Sequence, residues 1–428
     1  MKVLILGSGG REHALALAIA KSPRLSELFV APGNPGCASI AQCVALSLSD
    51  HGSIIDFCHL QSIGLVVIGP EAPLVAGLAD DLRSAGVDCF GPSKAAAQLE
   101  GSKGFTKDFC REFGIPTADY MRFADKRAAL EHIRGAKTPV VIKADGLAAG
   151  KGVVIAQTIA EAEAAIETIF EGAFGDAGNA IVVEEFLFGE EASFFALCDG
   201  QRFVAFGSAQ DHKRVGEGDT GPNTGGMGAY SPAMGMSDAL QTQILAQIIA
   251  PTVEGMRRRG MPFSGLLFAG LMLTAAGPKL IEYNVRFGDP ETEAILARLE
   301  SDLLEFLLGC ARGDLPRTAP QFSPHSAIAV IMAARGYPGA YAKGSKIGKL
   351  AAASKTPGVK ILHAGTKEEN GDLLADGGRV LAVTAVGATL SEAQERAYAA
   401  ANAIEWSDGF FRRDIGARAI AAQRAADC

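Results

Sequence analysis

Short apolar runs alternate with helix-forming segments over the first hundred residues. KVLILG (2–7), LFVAPGN (28–34), LVVIGPEAPL (65–74) and VDCFGPS (87–93) read as buried strands ending in turn residues. REHALALAIAKS (11–22) has the spacing and composition of a helix. Strands alternating with helices predict a parallel, doubly wound sheet, with sites at the carboxyl ends of its strands. The loops GSGG, APGN, GPEAP and GPS all follow strands and so gather on that edge.

The pattern then changes. GSKGFTKDFCREFGIPTA (101–118) predicts a helix stopped by Gly114 and Pro116, residues 161–170 a second helix, and IVVEEFL (181–187) a strand running into a polar turn. MPFSGLLFAGLMLTAAGP (261–278) carries no charge, but its tight apolar part spans about ten residues, half of what a membrane span needs. It predicts a buried strand followed by a turn. AIAVIMAARGYPG, VKILHAG and RVLAVTAVG are strand-like, and LSEAQERAYAAANAI is a helix with a Ser/Glu cap signal. The chain thus divides into 1–102, a Rossmann-like domain; 103–190, a linker helix and small α+β subdomain; 191–324, a larger α+β subdomain; and 325–428, a small α+β domain. The fold class is a multidomain mixture of α/β and α+β.

Chemistry concentrates in four stretches. PVVIKADGLAAGKGVVIA (139–156) holds a glycine-rich loop between Lys143 and Lys151. It is not a Walker A loop: three residues separate Gly146 from Gly150, Gly152 follows Lys151, and the loop leads into a β-branched run rather than a helix. Strand, loop, strand predicts a hairpin whose tip closes over an anion or is an ordinary surface turn; the loop alone does not decide. In KLIEYNVRFGDPETE (279–293), strand alternation places Glu282, Asn284 and Arg286 on one face and Ile281, Tyr283 and Val285 on the core face. A carboxylate and an amide oxygen suit Mg²⁺, and a nearby guanidinium suits a transferring phosphoryl group. A solvated edge-strand face is the bland alternative.

IVVEEFLFGEEASF (181–194) ends a strand beside Glu184, Glu185, Glu190 and Glu191; such an end can read an adenine edge and a ribose, or be a solvated acidic turn. SAQDHKRVGEGDTGPNTGGMGAYSP (208–232) predicts a long functional loop carrying Asp211, Lys213, Arg214, Asn223 and Thr224, with His212 either a base or a neutral structural ring. Gly7-Ser8-Gly9-Gly10 starts like a dinucleotide fingerprint, but Glu12 stands where its third glycine belongs and no acid ends the second strand. Amides at that helix start predict a seat for one phosphate rather than for NAD, or else a tight turn with no ligand.

The chain's 428 residues are 48% hydrophobic and 21% charged with a net charge of −8, which argues against nucleic acid as a partner. The start is no signal peptide, and the eight cysteines show neither CxxC pairs nor zinc spacing. Buried thiols in a reducing, cytoplasmic setting are the expectation, with no membrane partner.

Together, GSGGREHAL (7–15), GPEAPL (69–74), QLEGSK (98–103), IKADGLAAGKGV (142–153), the 210–232 stretch, RFGDPE (286–291), HAGT (363–366) and GGRVL (377–381) resemble the ATP-grasp superfamily, and within it the phosphoribosylamine–glycine ligase family, over essentially the whole chain. The resemblance implies an ATP-grasp fold of two α+β subdomains behind a pre-ATP-grasp domain. It implies ATP-dependent ligation of glycine to 5-phosphoribosylamine through glycyl phosphate, the second step of de novo purine biosynthesis. It further implies that Lys103 and Lys143 contact nucleotide phosphates, that 145–152 with Gly146, Gly150 and Lys151 forms the lid, and that Glu184, Glu185, Phe186 and Leu187 hold adenine with Glu191 on the ribose. Glu282 and Asn284 would hold magnesium or manganese, with Arg286, Lys143, Asp211 and Lys213 at the reacting groups. The second substrate would meet Gly9, Gly10, Arg11, Glu71, Lys213, Arg214, Asn223, Thr224, Gly225 and Asp289. FAGLML (268–273) lacks the extra acid that other ATP-grasp families place one strand earlier, and Glu293 stands where Gln is expected. Partners are then small molecules, with a monomer as the expectation. The rivals are another ATP-grasp ligase or carboxylase, a nicotinamide dehydrogenase, and a nucleotide sensor without turnover.

Overall fold

The computed structural model describes residues 1–148 and 152–426. Strands β1 (Lys2–Gly7), β2 (Glu27–Pro32), β3 (Gln42–Cys43), β4 (Ile63–Ile68) and β5 (Cys89–Phe90) form a parallel sheet in the order β3-β2-β1-β4-β5. Val3, Leu4, Ile5 and Leu6 are all fully buried, as a strand covered on both faces requires. The expected strands and the helix at Gly10–Ile19 are present. Strand β3 was not expected: two exposed residues at a sheet edge carry no hydrophobic period.

Helix Lys103–Phe113 is capped by the Ser102 side chain and ends at Gly114, whose φ of +65° suits glycine. It leads to a second sheet of β6 (Tyr120–Phe123), β7 (Val140–Ala144), β8 (Val153–Ala156) and β9 (Ile181–Glu185), ordered β6-β9-β7-β8 and antiparallel. β7 and β8 are the predicted hairpin, Lys143 pairing with Val153. Asp145, directly after β7, is held to the preceding helix: its carbonyl accepts from the Lys103 amide at 2.9 Å and its carboxylate accepts from Ser102 Oγ at 2.8 Å. The lid residues Gly150 and Lys151 lie outside the described residues.

The third sheet takes in β10 (Glu190–Asp199), β11 (Phe203–Asp211), β14 (Gly228–Ser231), β15 (Ser264–Thr274), β16 (Gly277–Asn284), β17 (Ser326–Ala334), β18 (Val359–His363) and β21 (Arg379–Gly387), ordered β16-β15-β10-β11-β14-β17-β21-β18. Two short hairpins, β12 (Arg214–Gly216) with β13 (Thr220–Asn223) and β19 (Thr366–Glu369) with β20 (Asp372–Ala375), stand apart from it. The sheet runs unbroken across residue 325, because β14 pairs with β17. The charge-free stretch is β15, as expected. Among the described residues no helix is long and apolar enough to cross a membrane.

Two expectations need correction. Residues 208–232 were read as one long loop; glycines at φ of +66°, +78° and +112° (218, 221 and 226) instead turn the chain tightly enough to form β12, β13 and β14. The helix Leu390–Ala403 is capped by Thr389, with Glu392 at the third position, rather than by Ser391.

First and last domains are tied by neutral groups. His13 Nδ1 accepts from the His363 amide at 2.9 Å, and burial, with His363 and Lys360 adding to it, pushes His13 down to about 3. Asn34 Nδ2 donates to Ser8 O and His363 O at 2.9 and 2.8 Å. The seven described cysteines are unpaired, and six of them are buried.

Candidate active site

The site is built on β16. Leu280, Tyr283 and Val285 are at most 2% exposed and join the core. The expected set had Ile281 in place of Leu280. The pairing with β15 slips there: Gly270 faces Glu282 and the next residue, Leu271, faces Leu280. Ile281 is the extra residue of a bulge, so its side chain leaves the core and its carbonyl accepts from Lys143 Nζ at 3.2 Å. From Glu282 on, alternation holds, and no acid stands across from it on β15.

Around Glu282 four cations converge. Burial raises its carboxyl, but Lys213, Lys143, Lys103 and Arg286 outweigh that and hold it below the usual range. Each cation is also held elsewhere. Lys143 pairs with Glu184 at 2.9 Å, and Lys107 pairs with the other oxygen of Glu184 at 2.8 Å. Glu184 is 3% exposed, a buried acid clamped between two buried lysines rather than a group facing adenine. Lys103 Nζ donates to Gly146 O at 3.0 Å, and Lys213 pairs with Glu191 at 3.0 Å. Burial, with Lys143 adding to it, lowers Lys103.

Arg286 departs from expectation. Instead of standing free for a phosphoryl group, it reaches Glu71 and Glu100 of the first domain, each at 3.2 Å, and Asn284 Oδ1 at 3.2 Å. Burial opposes its charge, but Glu100 and Glu71 raise its pKa further. Glu100 is itself pushed up by burial and accepts from the Val285 amide at 2.8 Å. Glu71 thus serves the joint between domains.

The amides at the start of helix Gly10–Ile19 were read as a phosphate seat. They meet carboxylates instead: the Gly9 amide donates to Glu12 Oε2 at 2.6 Å, and the Arg11 amide donates to Asp289. A Cβ on Gly10 would stand 2.6 Å from Glu293 Oε1. Burial, with Asp289 adding to it, pushes Glu293 well above the usual carboxyl range, so it is neutral; Glu12 and Asp289 already take these amides and would oppose a dianion there, so the reading is corrected. Arg11 Nη1 donates to Phe287 O at 3.0 Å, and Asp289 pairs with Arg379 at 3.1 Å.

Asp211 and Lys213 leave β11 on either side of His212. Burial raises Asp211 against the pull of Lys213, while Asp211 and Glu191 raise Lys213 well above its ordinary value. Arg214 Nη1 donates to Gly221 O at 2.7 Å, inside the β12–β13 hairpin, where Arg214 pairs with Asn223. Thr224 Oγ1 donates to Lys213 O at 2.8 Å, and Gly225 O accepts from Arg379 at 2.6 Å. These residues shape the loop; Thr224 is buried, Arg214 and Asn223 are half-buried and Gly225 is exposed. Glu185 pairs with Lys279 at 3.0 Å and its amide donates to Asp119 O at 2.9 Å; Phe186 and Leu187 follow the strand end, with Phe186 edge-on to the exposed Phe188.

Sequence reasoning missed Lys107, Glu100, Glu291 and Arg379. Glu291, the first residue of helix Glu291–Arg298, is buried and pushed up to about 7 by burial and then by Asp211. Its motif RFGDPE was noticed, but no chemical role was read for Glu291. Arg379 was inside a noted motif too, yet nothing local shows that it crosses from the last domain to Gly225, Gly226 and Asp289.

Two oxygens two residues apart on one strand, one ionised, fit a hard divalent cation whose remaining ligands are phosphates and water. Among the described residues no group of three or more His, Cys, Asp or Glu could hold a metal alone.

Comparison with known proteins gives consistent matches. The family described as Phosphoribosylglycinamide synthetase matches in three parts: N domain over 1–100, ATP-grasp (A) domain over 101–292 and C domain over 327–418. A protein of Agrobacterium fabrum named phosphoribosylamine–glycine ligase is 58% identical over 425 residues, covering 99% of this chain and 100% of its own length. A chloroplastic protein of that name from Arabidopsis thaliana is 54% identical, covering 96% of this chain and 79% of its own length. The crystal structure of phosphoribosylamine–glycine ligase from Thermotoga maritima superposes with a TM-score of 0.85 at 34% identity, over 97% of this chain and 100% of that one. A biotin carboxylase domain from Hydrogenobacter thermophilus, solved with MgADP, has a TM-score of 0.72 at 16% identity over 96% of this chain and 91% of its own, a likeness of fold alone.

Proposed function

Because the chain belongs to the phosphoribosylamine–glycine ligase family, we propose that the cleft between β7–β9 and β16 is where the family's reaction runs and that the residues around Glu282 divide its work. The chain is an ATP-dependent ligase that joins glycine to 5-phosphoribosylamine, giving glycinamide ribonucleotide, ADP and phosphate in purine biosynthesis. The reading of residue roles rests on the geometry along β16: Lys143 Nζ donates to Ile281 O at 3.2 Å and Arg286 to Asn284 Oδ1 at 3.2 Å, on either side of Glu282, whose carboxyl Lys213, Lys143, Lys103 and Arg286 hold below its usual range.

The glycine carboxylate must approach an anionic γ-phosphoryl group. Lys103 and Lys143 line the nucleotide side and offset that repulsion. Glu282 and Asn284 would hold a divalent cation, magnesium or manganese, which would supply positive charge to offset that of the phosphates. Arg286, tied to Asn284 and to two acids of the first domain, orients that amide oxygen rather than touching the phosphoryl group. Backbone at Phe186 and Leu187 takes the adenine edge, and Glu191 lies toward the ribose beside Lys213. The lid over 145–152 keeps water from glycyl phosphate, which hydrolyses readily.

Glu291 is placed to take the proton that the substrate amine loses on attacking the acyl carbon. A base must be ionised, so kcat/KM rises as pH climbs through about 7, the value to which burial and Asp211 push Glu291. A Glu291→Gln variant should lose about 100-fold in kcat and that limb of the profile. An unchanged limb would remove the base assignment.

The free thiols fit a reducing, cytoplasmic setting, and the monomer expectation stands as a proposal that light scattering tests. The full family match sets aside the dehydrogenase alternative. A coupled ADP assay with each substrate left out in turn tests the activity. ADP release should require ATP, glycine and 5-phosphoribosylamine together. Release driven by bicarbonate would indicate a carboxylase, and nucleotide binding with no release would indicate a sensor.

A further inference from the structure

In extended backbone, alternate side chains point to opposite sides. At 211–213 this sends Asp211 and Lys213 toward Glu282 and His212 the other way, into the last domain. His212 is 7% exposed, and its Nε2 accepts from the Gly416 amide at 3.3 Å. Burial, with Arg412 adding to it, pushes it down to about 4, so it is a neutral acceptor and not a base. Its own amide and carbonyl are fixed to Gly228 O and the Met227 amide at 2.9 and 2.8 Å.

A second tie lies one residue past Lys213. The Arg412 side chain is 2% exposed and leaves the last domain to bond Arg214 O at 2.9 Å and Asp219 Oδ1 at 2.8 Å through one nitrogen. Its other two nitrogens grip Asp414 at 2.8 and 2.7 Å. Asp414 in turn accepts from the Gly218 amide at 2.8 Å, and Glu217 accepts from the Arg413 amide at 3.1 Å. Asp219 sits at φ of +56°, a conformation that costs a non-glycine residue free energy and persists where surroundings enforce it. Arg412 and Arg418 both hold its carboxylate. Lys213 is therefore bracketed: the residue before it and the residue after it are each anchored in the segment 412–416.

We infer that the segment Arg412–Gly416 is a latch by which the C-terminal domain positions Lys213, with Arg412 as its principal positioning residue. Arg412 touches no reacting group; it acts through the backbone of Arg214. The inference rests on the role proposed for Lys213, and the test separates the two. A small displacement of a positioned group costs up to about 100-fold in rate.

The test is a double-mutant cycle on the full-length enzyme with R412M and K213Q, followed by ADP release and by thermal unfolding. R412M should lower kcat at least about tenfold, leave KM for ATP within about twofold, and have no further effect when Lys213 is already replaced. R412K, which keeps the charge but not the planar fork, should rescue only partly. Equal losses from R412M with and without Lys213 would overturn the latch, as would full turnover in R412M. Wild-type turnover in K213Q would remove the proposed role of Lys213, and the latch with it. Should R412M not fold, R412K takes its place in the same cycle: the charge is kept while the planar fork that reaches Arg214 O and Asp414 together is lost, and the same outcomes decide.

Discussion

Replacing Glu282 with Ala should lower kcat by about two to three orders of magnitude while the protein still folds. The loss follows from where the carboxylate stands: it draws Lys213, Lys143, Lys103 and Arg286 toward one point and supplies the charged ligand for a divalent cation. The fold should survive because these cations keep other partners. Lys213 retains Glu191, Lys143 retains Glu184, and Arg286 retains Glu71 and Glu100. Steady-state ADP release and circular dichroism measure the two halves. Activity within a few-fold of wild type, with ordinary magnesium dependence, would contradict the role of Glu282.

Glu184→Ala should behave in the opposite way, striking stability first. Removing one partner of a buried ion pair leaves charge uncompensated and costs about 3–5 kcal/mol. Here two lysines lose the same acid, and Lys107, Lys143 and Glu184 are all at most 3% exposed. Among the described residues, Lys107 keeps Thr117 Oγ1 at 2.7 Å and the face of Tyr120, and Lys143 keeps Ile281 O at 3.2 Å and the charge of Glu282. Denaturant unfolding should show the drop at neutral pH. A loss under about 1 kcal/mol would mean that water already reaches the lysines and that the clamp is not buried in solution.

What the sequence disclosed depended on how local the signal was. Alternation along 282–286 placed two oxygens on one face without help from the rest of the chain, and the β7–β8 hairpin followed from two β-branched runs around glycines. The bulge at Ile281 was invisible, because a register slip is set by the partner strand. Arg286 was misjudged for the same reason: its partner Glu100 lies 186 positions earlier, and no local pattern links them. The helix start after GSGG looked ready for an anion until the fold brought Asp289 to it. Residues 208–232 looked like a loop because glycine-rich turns hide short strands from any period-two count. Their anchoring by Arg412 depends on a contact across almost half the chain.

The account turns on a divalent cation held by Glu282 and Asn284 against a nucleotide. Electron paramagnetic resonance of Mn²⁺ titrated into the enzyme with ADP measures this directly. The wild-type protein should take up Mn²⁺ when ADP is present. The Glu282→Ala, Asn284→Ala double variant should lose that Mn²⁺ signal while still binding ADP through Lys103 and Lys143. Equal Mn²⁺ uptake by both proteins would contradict the account.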